Sequence, residues 1–284
     1  MMLRALLYML MSTGAARGQS QANYVGCSWD DKGSAPPFNI LVPLPEQLLP
    51  YPTSLFNPFN MTISKARPVV DLAIYDVINV HRLLPAGALK EHYRDTNCSD
   101  RQGPAIVIEA YWKYRIVDAI IGMANTYAIA PIGRYSPTWG PGGLPFITTG
   151  GLVPSFTEKS NYPLLTRVMG SYDGVGQLLE VLLIQLKIYG AAAAVINDAS
   201  RVPEHATKSL PVSECSFAVS ALERQLGKSR KFKMKWRMKH IFDEYDKNLT
   251  DTLTSKLKDA SMEANRKFCK CGVFLQWDVF PERN

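Results

Sequence analysis

After the first dozen residues, no stretch reaches about 18 uninterrupted apolar positions, so no helix of this chain is expected to cross a bilayer. Histidine is scarce, with four residues (His81, His92, His205, His240) scattered along the chain, and HExxH is absent. Glycine-rich phosphate loops of the GxGxxG or GxxxxGK[ST] kind are missing, which removes the usual backbone cradle for a nucleotide. The one dense glycine run, Gly140–Gly143, sits at a helix end and reads as a turn. No GxSxG elbow occurs. Cys269-Lys-Cys271 has neither a CxxC partner nor a histidine at ligand spacing, so a metal is not expected. No two carboxylates are spaced in a way that demands acid–base work. These absences argue against an enzyme.

Charge of one sign is also limited. Over 284 residues the net charge is +7 and the chain is 46% hydrophobic; the pI is near 9.1. There is no long like-charge block, low-complexity tract or internal repeat. The most basic segment, Lys231–Phe242 (KFKMKWRMKHIF), alternates with period two. Its Phe232 and Trp236 fall on the face opposite the lysines, so they would not stack on bases beside them. A strand with one wet, lysine-guarded face is the better reading, and nucleic acid is not an expected partner.

The N-terminus supplies the first positive signal. MMLRALLYMLMSTGAARGQS has a basic Arg4, an apolar run from Ala5 to Met11 and small residues at Gly14–Ala16. This is the layout of a secretory signal, expected over residues 1–18. Secretion changes how the rest is read. The five cysteines (Cys27, Cys98, Cys215, Cys269, Cys271) would meet an oxidising compartment that pairs thiols. Three Asn-x-Ser/Thr triplets, at Asn60, Asn97 and Asn248, become glycosylation candidates.

Period and punctuation then predict the elements. Phe38–Leu44 (FNILVPL) is a first strand. Ile63–Val80 is a helix capped by Ser64, with Ala66, Val69, Val70, Ala73, Ile74, Val77 and Ile78 as its inward face. Ala88–Arg94 is a strand and Ala105–Lys113 a short helix. Val117–Ile121, Tyr127–Trp139 and Leu144–Thr149 read as strand, helix and strand. Two such strands joined by a helix should be parallel. Pro163–Val168 follows, then helix Tyr172–Tyr189, strand Gly190–Ile196, helix Ser213–Leu226, strand Lys231–Phe242, helix Leu249–Ala264 and strand Phe268–Leu275. The β-α-β-α order predicts an α/β fold with an open parallel sheet and helices on both faces. Such sheets bind ligands beyond the carboxyl ends of their strands.

Within this order, GMANTYAIAPIGRYSPTWGPGGLPFITTGG (Gly122–Gly151) resembles a segment of receptor guanylate cyclase ectodomains, closest in pattern to natriuretic peptide receptors. That family pattern is a Gly-Pro-x-Cys-x-Tyr-Ala-x-Ala-Pro-x-x-Arg run, followed by a tryptophan and a Pro-Leu strand. FNILVPLP, Leu83-Leu84-Pro85, Asn97-Cys98-Ser99-Asp100 and Ser213-Glu214-Cys215-Ser216-Phe217 match in the same chain order. The resemblance covers roughly residues 38–265 and implies a type I periplasmic-binding-protein-like fold. Its domains would be a complete first lobe at 36–189, a partial second lobe at 190–276 and a tail at 277–284.

The function implied is the extracellular ligand-binding region of a receptor that binds a peptide hormone between two receptor copies, hence a homodimer, and drives cyclic GMP signalling in a full-length parent. The membrane span and cyclase domain would lie in regions this sequence does not include. Asp100, Tyr127, Arg134, Phe217 and His240 match ligand-contact positions. A small-ligand module of the same fold, reading an amino-acid-like carboxylate, is the alternative, with Thr148-Thr149-Gly150 a partial candidate for it. A soluble decoy or clearance form is a further variant.

Departures from the pattern carry their own expectations. Asn125 stands where the family has a cysteine, which orphans Cys98 and points to a pairing with Cys27. Cys215 is expected to pair with Cys271 or Cys269. No organic cofactor is implied. Family members hold a chloride ion on backbone amides at the glycine-rich turn, and Met123-Ala124 in place of Pro-Gly speaks against one here.

Overall fold

The computed structural model describes residues 36–48, 57, 59–187, 191–198, 212–228, 235–243, 246–263 and 266–269. The expected signal segment at 1–18, Cys27, Cys271 and the tail lie outside them. The chain forms two compact units, Met1–Met169 and Gly170–Asn284.

The first unit is built on five strands: β1 (Phe38–Leu44), β2 (Leu89–Asp95), β3 (Ala119–Ile121), β4 (Phe146–Thr148) and β5 (Leu165–Arg167). They lie in the order β2-β1-β3-β4-β5, and every neighbouring pair is parallel. β1 is an interior strand, and its residues Ile40, Leu41, Val42 and Leu44 are all buried, as a parallel strand between two neighbours is covered on both faces. The connecting helices are α1 (Ile63–Tyr75), α2 (Gln102–Trp112) and α3 (Thr126–Tyr135).

Alternation along the strands divides the core in two. Leu41, Ile120, Phe146 and Leu165 come from four different strands and pack under Val107 and Ala110 of α2 and Ala128, Ile129 and Ile132 of α3. Ile40, Val42 and Leu44 point the other way, onto Ile63 and Ala66 of α1. Each fully buried aliphatic or phenyl side chain contributes about 1.5–3 kcal/mol relative to exposure. Helices on both sheet faces are what the β-α-β-α order requires.

Three details differ from the sequence expectations. α1 is capped by Thr62, whose Oγ accepts from the Lys65 amide at 3.3 Å, and Ser64 lies inside the first turn. The helix then widens into a π-helical turn over Asp76–Val80. Finally, Val69 lies at the margin of the predicted inward stripe and is 67% exposed, with Leu72 and Tyr75 beside it at 60% and 57%. Val77 is buried, and Ala66, Val70, Ala73, Ile74 and Ile78 are half-buried. Ile63 and Ala66 of this face pack against Ile40, Val42 and Leu44 of β1.

The second unit contains α4 (Tyr172–Gln185), β6 (Ala191–Asn197), α5 (Glu214–Lys228), β7 (Lys235–Phe242), α6 (Leu249–Glu263) and β8 (Arg266–Cys269). Its strands are parallel in the order β7-β6-β8. The basic strand is thus an edge among the described strands. α4 and α5 pack through Leu179, Leu183 and Leu226. Arg224 pairs with Asp173 at 2.7 Å. Tyr172 donates its hydroxyl to Glu214 Oε2 at 2.8 Å, and burial beside that carboxylate pushes the tyrosine's titration upward.

Candidate functional site at the carboxyl edge of the first sheet

The strands β1 to β5 all end on one side, and their exit loops are stitched together there by side chain–backbone and backbone–backbone hydrogen bonds. Asp95 Oδ1, at the end of β2, accepts from the amides of Glu46 at 2.9 Å and Asn97 at 2.8 Å. The Met123 amide donates to the Pro43 carbonyl at 2.9 Å. Thr148 Oγ donates to the Met123 carbonyl at 3.1 Å and accepts from the Gly150 amide at 2.9 Å. Gly150 is required at this crossing, since a Cβ there would lie 2.9 Å from Met123 O.

Asn125 stands at the centre of the edge and is 4% or less exposed, at 3%. Its Oδ1 accepts from the Tyr127 amide at 2.8 Å, which caps α3. Its Nδ2 donates to the carbonyl of Cys98 at 2.8 Å, on the loop between β2 and α2. Ser99 Oγ in turn accepts from the amides of Arg101 at 3.2 Å and Gln102 at 3.0 Å, which starts α2. Asp100 is exposed beside that helix start, where the backbone amides favour a negative charge.

The predicted site residues divide accordingly. Asp100, on the loop after β2, and the half-buried Tyr127, in the first turn of α3, both lie at the carboxyl edge. Arg134 is in the last turn of α3, about two helical turns and about 10 Å along the axis from Tyr127. It shares the outer stripe of that helix with Tyr127 and is exposed. Its guanidinium lies 5.4 Å from the centre of the Tyr162 ring. Tyr135 beside Arg134 is 55% exposed, while Ala128 and Ile132 on the packing face are buried at 2% and 0%. α3 runs through Pro131 without a break. Phe217 and His240 belong to the second unit. Phe217 is half-buried in α5, and His240 on β7 is 7% exposed.

Cys98 is a free, buried thiol; Cys27, its expected partner, lies outside the described residues. Burial pushes its thiol from an ordinary 9.0 up to about 12. Cys215 is not a free thiol. The side chains of Cys269 and Cys271 lie outside the described residues. The asparagines of all three glycosylation triplets are exposed. Among the described residues no three His, Cys, Asp or Glu side chains gather as metal ligands, and no helix is long and apolar enough to cross a membrane.

The pair of hydrogen bonds made by Asn125 is not anticipated by the sequence reading, where the residue stands as a replaced cysteine. The available signal was the preference for asparagine immediately before a helix.

Parallel α/β sheets bind ligands beyond the carboxyl ends of their strands, and Asp100 and Tyr127 stand at that edge. The ANF receptor model, described as the receptor family ligand binding region, matches residues 65–181. The chain is also similar to the receptor-type guanylate cyclase gcy-28 of Caenorhabditis elegans, at 28% identity over 256 residues. That alignment takes in 81% of this chain and 20% of the relative, so the chain spans about a fifth of the relative's length.

Two solved structures share the fold at 13% identity. One is an ABC transporter substrate-binding protein from Sphaerobacter thermophilus, with a TM-score of 0.58 over 82% of this chain and 54% of that one. The other is a solute binding protein of an ABC transporter from Rhodopseudomonas palustris in complex with 3,4-dihydroxy benzoic acid. Its TM-score is 0.51, over 82% of this chain and 53% of that one. The two structures show the type I periplasmic-binding-protein-like fold expected from the sequence.

Proposed function

We propose that this chain is the extracellular ligand-binding region of a receptor guanylate cyclase-like protein and that its ligand is a peptide hormone. The observation that carries the reading is the receptor-region match lying over a sheet edge that presents Asp100 and Tyr127. Asp100 supplies a carboxylate for a basic ligand residue. Tyr127 supplies an amphipathic plate, and Arg134, two turns further along the same stripe, a forked donor that keeps its charge. Phe217 and His240 are the contributions proposed for the second unit. In this reading a full-length parent converts occupancy into cyclic GMP, and this region performs no chemistry itself.

The small-ligand alternative asks for a hydroxyl cluster able to hold a carboxylate. Its candidate, Thr148, is 1% exposed, and its hydroxyl already bonds Met123 O and Gly150 N. This favours the peptide. Competition binding with disulfide-looped peptides against free amino acids tests the choice; displacement by amino acids alone would reverse it.

The same proposal takes the chain to the extracellular side through a signal at 1–18, with glycans on Asn60, Asn97 and Asn248 and a bridge from Cys215 to Cys271 or Cys269. It also takes two copies together as a homodimer, supported by the apolar Val69, Leu72, Tyr75 and Val80, each at least 57% exposed on the outer side of α1 and the turn after it. Sedimentation velocity at micromolar concentration should show a dimer, and a monomer at every concentration would remove that element.

A further inference from the structure

The loop carrying Asp100 and the helix carrying Tyr127 belong to different β-α connections. Asn125 bonds both with one side chain. Its Oδ1 receives the Tyr127 amide and its Nδ2 reaches the Cys98 carbonyl, each at 2.8 Å. The side chain is fully enclosed, so water does not compete strongly for either bond.

The region around it is conformationally costly. Asn97 and Cys98 both take positive φ, at 46° and 50°, a region that residues with a Cβ adopt reluctantly. Two such residues in succession need something to hold them. The Cys98 amide is turned onto Thr96 Oγ at 3.3 Å, and its carbonyl onto Asn125. Cys98 itself offers no covalent anchor, since its thiol is free. Met123, two residues before Asn125, is also left-handed at φ 61°.

We propose that Asn125 is the positioning residue of the candidate site. Its amide ties the 96–101 loop to the start of α3, and so sets where Asp100 stands relative to Tyr127. The inference rests on the reading of this edge as the ligand site, but the tether is physically separable from ligand binding. Cap and tether are also separable from each other. A serine at 125 still offers an oxygen to the Tyr127 amide, as N-cap serines do, and is too short to reach Cys98 O. An aspartate keeps the acceptor and loses the donor.

The experiment compares wild type, Asn125→Ser and Asn125→Asp in the full chain by hydrogen–deuterium exchange. Exchange across residues 96–101 should rise by about threefold to tenfold in both variants, as expected for one lost buried bond, with the start of α3 and strands β1 to β5 unchanged. Unchanged exchange at 96–101, or an equal rise across the whole first unit, overturns the tether.

The second arm is a double-mutant cycle between Asn125→Ser and Asp100→Ala, read as affinity for a synthetic disulfide-looped peptide containing arginine. If Asn125 acts by placing Asp100, its effect should largely vanish once Asp100 is removed. Two independent, multiplying losses would assign Asn125 a purely structural role and overturn the positioning claim. If wild type binds no such peptide, the peptide-receptor reading falls, and the exchange arm alone upholds or overturns the tether.

Discussion

Arg134→Ala separates a binding arginine from a structural one. In the folded chain the guanidinium is exposed, so it has two local interactions to lose. One is its cation–π contact with Tyr162 at 5.4 Å, worth about 0.5–1 kcal/mol at an exposed site. The other is its place in the last turn of α3, where a cation gains about 0.3–1 kcal/mol from the helix end. Alanine returns part of this through its higher helix propensity. The net cost should be about 1 kcal/mol, a fall in Tm of roughly 2–8 °C for domains of this size range. If the arginine also makes a charged hydrogen bond to a peptide ligand, that bond is worth about 1.5–3 kcal/mol, or roughly a tenfold to 150-fold loss of affinity. Thermal unfolding and a peptide titration on the same two preparations read both numbers. Unchanged affinity with a stability loss above about 3 kcal/mol would show that the arginine holds the fold, and that its assignment to the ligand is wrong.

Further outcomes follow from the same edge. Cys98 should resist iodoacetamide at pH 8 in the folded chain and react once denatured, because burial holds its thiol near 12; rapid native alkylation would contradict its enclosure. The folded state keeps that proton above pH 9 while the unfolded chain loses it, so this group's contribution to stability is present below about pH 9 and is lost as pH rises toward 12; a pH titration of unfolding free energy in Cys98→Ser against wild type checks the sign. Gly150→Ala should destabilise by about 1–3 kcal/mol, because the new Cβ meets two carbonyls, Met123 O at 2.9 Å and Ala124 O at 3.1 Å; chemical denaturation showing no change would mean the loop yields freely. Non-reducing peptide mapping should find Cys215 joined to Cys271 or Cys269, and recovery of all three as free thiols would exclude both pairings.

The fold was legible where a residue's neighbours in sequence decide its environment. ILVPL within FNILVPL is a continuous apolar run because both its faces are covered, and it forms the buried part of β1. The alternation of short apolar runs with helical stretches required parallel strands, and every strand pair is parallel. Boundaries were less legible: Thr62 and Ser64 are both good caps, and only the hydrogen bond to Lys65 distinguishes them. Val69 was misplaced because periodicity marks a stripe about 100° wide but not which of its margins the sheet covers. At the site, Tyr127 and Arg134 share a stripe because seven residues make nearly two turns. What the sequence could not show is that Asn125 reaches across to Cys98. That contact joins residues 27 positions apart, through a bond that no local pattern encodes.

The central claim is that this receptor ligand-binding region takes a peptide. Isothermal titration of the full chain with a panel of disulfide-looped peptides, and separately with free amino acids and 3,4-dihydroxybenzoic acid, tests it most directly. The account predicts saturable heat with at least one looped peptide, weakened by Asp100→Ala, and none with the small molecules. Saturable binding of a small acid with no response to any peptide would contradict it.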